Sequence, residues 1–149
     1  MASASSLNTL IGLSKDGADK TGKQLQLLAA ERQKAESQLS TLHVYRQDYA
    51  QRLQKAIEAG LSASNYHNFR QFIATLDEAI SQQNRVVAQM DAKIEQERQQ
   101  WYAEKRRLSS FEALQTRQAR QQTLRDNRSE QLASDEISAN LYRRAHHSH

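Results

Sequence analysis

The chain has 149 residues, a formal net charge of +4, four glycines, and neither cysteine nor proline. Its hydrophobic fraction of 38% and mean hydropathy of −0.87 are too low for an ordinary compact core. Without cysteine it can form neither a disulfide framework nor a thiolate metal site, and it has few residues suited to tight turns. The composition therefore predicts an all-α protein built from a few long helices.

No stretch of about 18 apolar residues occurs, so we expect no membrane-spanning helix. The N-terminus lacks the basic and apolar segments of a signal peptide. These features predict a cytoplasmic protein.

The first predicted helix covers about residues 5–58. Its apolar residues recur at alternating steps of three and four, which is the heptad pattern of a coiled coil and not the alternation of a strand. The apolar slots are Ala18, Leu25, Leu28, Ala35, Leu39, Leu42, Tyr49, Leu53 and Ala56, and the polar slots are Thr21, Arg32 and Arg46. We expect this stripe, the seam, to pack against another helix.

A predicted turn at residues 59–63 interrupts the pattern. Gly60 is suited to the left-handed conformation that ends many helices. Ser62 or Ser64 can cap the next helix by accepting a hydrogen bond from a backbone N–H. A connection this short makes the two helices antiparallel neighbours.

The second predicted helix covers about residues 64–140, and residues 141–149 are expected to be a disordered tail. A second heptad seam starts at Tyr66 and ends at Phe111. Its other apolar slots are Phe69, Ile73, Leu76, Ile80, Val87, Met90, Ile94, Trp101 and Leu108, and its polar slots are Gln83, Glu97 and Glu104. Beyond Phe111 the helix has no seam to face, so it should overhang.

Folding the chain about position 61 brings the two seams into register. Seam residues then face each other in pairs that include Leu53 with Phe69, Tyr49 with Ile73, Leu28 with Ile94, and Ile11 with Phe111. The sequence thus predicts a single domain, a long antiparallel two-helix coiled-coil hairpin with an overhanging C-terminal helix.

No residue pattern indicates an enzyme. No glycine-rich phosphate loop is present, and the adjacent Asp77 and Glu78 cannot share one helix face. His43 and His67 fall on different layers of the hairpin, while His146, His147 and His149 form a terminal cluster that could bind a metal only adventitiously. We expect no catalytic residues, no cofactor, no metal site and no small-molecule substrate.

An apolar strip lies beside the second seam. Phe72, Leu76 and Ala79 follow helical spacing, and Phe72 and Ala79 lie outside the seam itself. Two interpretations stay open. Phe72 either overhangs the interface between the two helices, or the strip is a docking surface for another protein.

A basic segment follows along the second helix. Residues 98–128 contain eight Lys or Arg against three acidic residues. Such a segment can face an acidic protein or nucleic acid, but nucleic-acid binding usually adds interleaved aromatic rings. Here Trp101 and Phe111 belong to the seam, so the pattern favours a protein partner.

The stretch "HVYRQDYAQRLQKAIEAGLSASNYHNFRQFIATLDEAISQQ" around the turn resembles the FliJ family, the soluble coiled-coil component of the bacterial flagellar type III protein export apparatus. The resemblance rests on Tyr45, Tyr49 and Leu53 before the turn, Gly60 within it, and the run 68–82 after it. It extends to "AESQL" at residues 35–39 and "WYAEKRRL" at residues 101–108.

The resemblance implies a stalk-like coiled coil, similar to the central subunit of rotary ATPases. Such a protein binds and activates the hexameric flagellar export ATPase ring, contacts the cytoplasmic domain of the export gate membrane protein, and engages export chaperones. It implies gate docking through Phe72, Leu76, Ala79 and Gln83, the last at a position where the family has histidine. It also implies a location at the cytoplasmic face of the inner membrane, at the flagellar base.

From the basic segment we expect the ATPase contact to involve Arg106, Arg107, Arg117 and Arg120. Three alternatives stay open at this stage. The chain could be a generic coiled-coil scaffold, the stalk of an injectisome, or a basic helical protein that binds nucleic acid.

Overall fold

A computed structural model describes residues 3–147, which form two long helices that pack against each other. Helix α1 covers Ala4–Glu58 and helix α2 covers Ala63–His147, and residues 3–147 contain no strand. The predicted all-α helical hairpin is confirmed. Within the same residues, neither helix is apolar enough over a sufficient length to cross a membrane.

The turn between the helices has the chemistry that the sequence predicts. Gly60 has a φ of 88°, in the left-handed region, and its N–H donates to the carbonyl oxygen of Ile57 at 3.1 Å. The hydroxyl oxygen of Ser62 accepts a hydrogen bond from the N–H of Asn65 at 3.2 Å. Ser62, and not Ser64, is therefore the N-cap of α2.

Contacts divide the chain into two units. One unit is Ala18–Tyr102, and the other combines the residues up to Gly17 with those from Ala103 onward. The buried residues of the first unit are Ala18, Thr21, Ala35, Leu53, Ile73, Leu76 and Ile80, and those of the second are Leu7 and Leu108. With Leu7 continuing the α1 register, all of them occupy predicted seam slots. The single-domain organisation stays a prediction.

Polar contacts between the helices agree with the predicted register. In the unit Ala18–Tyr102, Arg32 pairs with Asp91 and Arg46 pairs with Asp77. These contacts raise the pKa of both arginines, chiefly through the hydrogen bonds to the two aspartates. The two arginine slots of the α1 seam thus have acidic partners on the facing helix.

In the other unit, the side-chain amide of Gln115 donates to Oδ1 of Asn8 at 2.6 Å. This contact agrees with the predicted pairing of Ile11 with Phe111, because both place the start of α1 beside the same stretch of α2.

Trp101 packs beside a glycine. A Cβ atom added at Gly22 would lie 3.4 Å from Nε1 of Trp101, which is closer than most such contacts. Folding the chain about position 61 also pairs Trp101 with the small residue Thr21, and Thr21 is buried. The neighbouring glycine supplies the additional space that the indole ring occupies.

Helix α2 continues further than the sequence predicts. Residues 141–147 are helical and exposed, whereas we expected a disordered tail over 141–149. Leu141, Tyr142 and Ala145 are compatible with helix, and the basic residues in the last turn interact favourably with the helix dipole. The ring of Tyr142 also lies 4.1 Å from the ring of His146, one turn later. Ser148 and His149 lie outside the described residues.

Candidate docking surfaces

The four predicted gate-docking residues lie on one side of α2: the apolar strip of Phe72, Leu76 and Ala79, and Gln83 one turn further along. The side chains differ greatly in accessibility. Phe72 is 42% exposed, Leu76 is only 7% exposed, and Ala79 and Gln83 are half-buried. Phe72 is therefore the part of the strip that a partner can reach most easily, while Leu76 belongs to the core.

Phe72 has one ring face covered by α1. Its ring centroid lies 4.2 Å from that of Tyr49, with an angle of 31° between the planes. The guanidinium of Arg52 lies 5.6 Å from the Tyr49 ring centroid. The ring therefore overhangs the interface between the two helices and leaves much of its surface open. Docking of another protein on the strip stays a prediction.

The side-chain amide of Gln83 forms hydrogen bonds with α1. Nε2 donates to the carbonyl oxygen of Ala35 at 2.9 Å and to Oε1 of Gln38 at 3.2 Å. A side-chain amide has two protons to donate, and both are used in contacts with α1. Only the acceptor oxygen of Gln83 is left for a partner.

Sequence reasoning missed the part that α1 plays beside this strip. Tyr49 was placed in the seam, yet its ring is the surface on which Phe72 rests. The signal was present, because Tyr49 faces Ile73 in the predicted register and Phe72 is the neighbour of Ile73.

The four arginines of the predicted ATPase contact all lie in exposed positions on α2: Arg106, Arg107, Arg117 and Arg120. Within residues 3–147 none of their guanidinium groups forms an ion pair. Charges that no acidic residue offsets are available for an acidic partner.

Arg107 also borders a groove of about 440 Å³ between the start of α1 and α2. Leu10, Leu13 and Phe111 form its apolar lining, and Gly17 and Glu104 complete one end. A Cβ atom at Gly17 would lie 3.4 Å from the carboxylate of Glu104, so the glycine makes room for that side chain.

No three His, Cys, Asp or Glu side chains come together as a metal-binding group in the described part of the chain. The Phe72 strip and the exposed arginines are surfaces on the helices. Such surfaces suit recognition of another protein.

Comparison with known proteins identifies the family. The family model described as "Flagellar FliJ protein" matches residues 3–147. The Flagellar FliJ protein of Escherichia coli (strain K12) is 31% identical over 138 residues, which cover 93% of this chain and 94% of that protein. The Flagellar FliJ protein of Salmonella typhi matches with the same identity and coverage. No solved structure matches the chain.

These matches span nearly the whole of both α1 and α2, so they concern the complete hairpin and not the heptad pattern of one segment. They favour the flagellar assignment over a generic scaffold. The chain therefore belongs to the FliJ family and is a component of the flagellar protein export apparatus.

Proposed function

We propose that this chain is the stalk-like accessory component that binds and activates the export ATPase ring and couples it to the export gate. The observation that carries the ATPase part is the set of exposed arginines without ion pairs within residues 3–147. Exposed unpaired cations accelerate and orient association with an acidic surface. The acidic surface would line the central opening of the ATPase ring.

The gate part of the proposal is supported by Phe72. An aromatic side chain that is 42% exposed on a helix is a suitable anchor for a protein partner. Because Tyr49 holds one face of the ring, little side-chain freedom is lost when a partner covers the other face. Ala79 adds a small neighbouring side chain that allows close approach.

The two surfaces belong to different stretches of α2, at residues 72–83 and 106–120. One chain could therefore engage the ATPase and the cytoplasmic domain of the gate protein together. In this proposal the chain works at the cytoplasmic face of the inner membrane at the flagellar base, and it also engages export chaperones.

The proposal is tested by adding the purified chain to the flagellar export ATPase and measuring binding and ATP hydrolysis. We expect saturable binding that weakens as salt rises, together with faster hydrolysis. Hydrolysis that stays at its basal rate, at chain concentrations well above that of the ATPase, would contradict the proposal. Binding to the isolated gate domain is measured separately, since the two contacts use different residues.

A further inference from the structure

The C-terminal part of α2 is open to solvent in the described chain. Every residue from 119 to 147 is exposed. This stretch nevertheless carries large apolar side chains that are 60% to 64% exposed, among them Leu124, Leu132 and Tyr142. Helices gain most of their stability by packing an apolar face, so a long unpacked helix with such residues requires explanation.

Four of the exposed apolar residues have a symmetric spacing. Leu114 and Tyr142 each lie 14 residues from Arg128, on opposite sides of it along the chain. Leu124 and Leu132 likewise each lie 4 residues from Arg128. At 3.6 residues per turn, all four fall within an arc of about 80° around α2. Reversing the helix direction about Arg128 places Leu114 on Tyr142 and Leu124 on Leu132.

Charges in the same stretch are also complementary under that reversal. The half before Arg128 carries Arg117, Arg120 and Arg125 against Asp126. The half after it carries Glu130, Asp135 and Glu136 and, as far as Tyr142, no basic residue. In an antiparallel pair, the basic half of each copy lies beside the acidic half of the other copy. In a parallel pair, the basic halves would lie side by side, and so would the acidic halves.

A twofold-symmetric dimer requires a surface of this kind. In such an interface residue i of one copy contacts residue j of the other, and j contacts i, so the surface must be complementary to itself. We propose that residues 114–142 of α2 bind the same segment of a second copy of this chain, antiparallel and with the axis near Arg128. This goes beyond the proposed function, because it requires neither the ATPase nor the gate. Since the segment contains Arg117 and Arg120, the ATPase and the second copy would compete for these two side chains.

The test uses the full chain alone, over a range of concentrations, in sedimentation equilibrium at low salt. We expect a monomer–dimer equilibrium. Leu124→Lys should raise the dissociation constant about tenfold or more, because it places a charge in the buried pair with Leu132.

Ile137→Lys is the matched control. Ile137 is as exposed as Leu124, at 62%, but it lies on the opposite side of α2. Its substitution should leave the dissociation constant unchanged. A chain that stays monomeric at all concentrations, or one that responds equally to both substitutions, would overturn the proposal.

Disulfide trapping decides the direction of pairing, because the natural chain has no cysteine. Arg128→Cys should cross-link to itself, since the axis brings the two copies of this position together. Leu114→Cys alone should not, but it should cross-link when mixed with Tyr142→Cys. Self-cross-linking of Leu114→Cys would indicate a parallel dimer and contradict the proposal.

The dimer and the proposed function are tested by different measurements. ATPase activation and gate binding are measured with those partners present, whereas self-association is measured without them. A chain that is monomeric alone yet activates the ATPase would refute only the dimer.

Discussion

The ring of Phe72 on α2 rests on the ring of Tyr49 on α1, with their centroids 4.2 Å apart. Phe72 lies outside the seam by sequence spacing, yet its ring packs against Tyr49, which is a seam residue. This support keeps an exposed aromatic side chain in one orientation, which is a requirement for a docking anchor. Four predictions follow from this contact, the exposed arginines, the seam and the turn.

Phe72→Ala should weaken binding to the isolated gate domain by about tenfold or more, because an anchoring aromatic residue contributes strongly to an interface. Helix content measured by circular dichroism should stay unchanged, since the ring is 42% exposed. Val86→Ala, which shortens another exposed apolar residue of α2, serves as the control and should leave binding unaltered. A loss of helicity in Phe72→Ala would instead assign the ring to the core.

Charge reversal of Arg117 and Arg120 to glutamate should weaken binding to the export ATPase and remove most of its salt dependence. In the control, Arg70 and Arg85, two exposed arginines of α2 outside the basic segment, are replaced by glutamate. The control changes net charge by the same amount, so a general charge effect would appear equally in both variants. Equal weakening by the two double variants would count against a specific ATPase contact.

Glu97→Leu should increase the free energy of unfolding by about 1–3 kcal/mol, because it removes a buried unsatisfied polar atom from the seam. Oε2 of Glu97 is buried and has no hydrogen-bond partner in the described structure. Urea denaturation measures the change.

Glu95→Leu is the comparison for that variant. Glu95 is exposed and contacts Arg98 and Gln99, so its substitution should change stability by no more than about 0.5 kcal/mol. Destabilisation by Glu97→Leu would mean that the carboxylate makes a compensating interaction in solution.

Gly60→Ala should lower the free energy of unfolding by about 1–2 kcal/mol, because a residue with a Cβ is strained at a φ of 88°. Gly12→Ala should have the opposite effect and raise the free energy of unfolding by about 0.5–1 kcal/mol. Gly12 lies inside α1, and a Cβ added there would meet no atom within 4 Å. Thermal unfolding measures the stability of both variants. Stabilisation by Gly60→Ala would show that the turn does not need a glycine at this position.

The two helices, the turn between them and the buried residues all follow from patterns in the sequence. Heptad spacing specifies which side of each helix is apolar, and Gly60 together with Ser62 specifies where the chain reverses. These features depend on local spacing and local backbone preference, which a linear sequence contains. The end of α2 was predicted less well, because exposed residues without a facing seam, such as those from 141 to 147, are compatible both with helix and with disorder.

How the surface side chains are used depends on the packing of the two helices. Spacing places Phe72 and Gln83 on the same side of α2, but the structure leaves the Phe72 ring 42% exposed and commits both amide protons of Gln83 to Ala35 and Gln38. The space that Gly22 provides for Trp101 is likewise visible only when the helices are packed. Each of these depends on contacts between residues far apart in sequence, and the heptad pattern specifies the facing layer but not the orientation of a side chain within it.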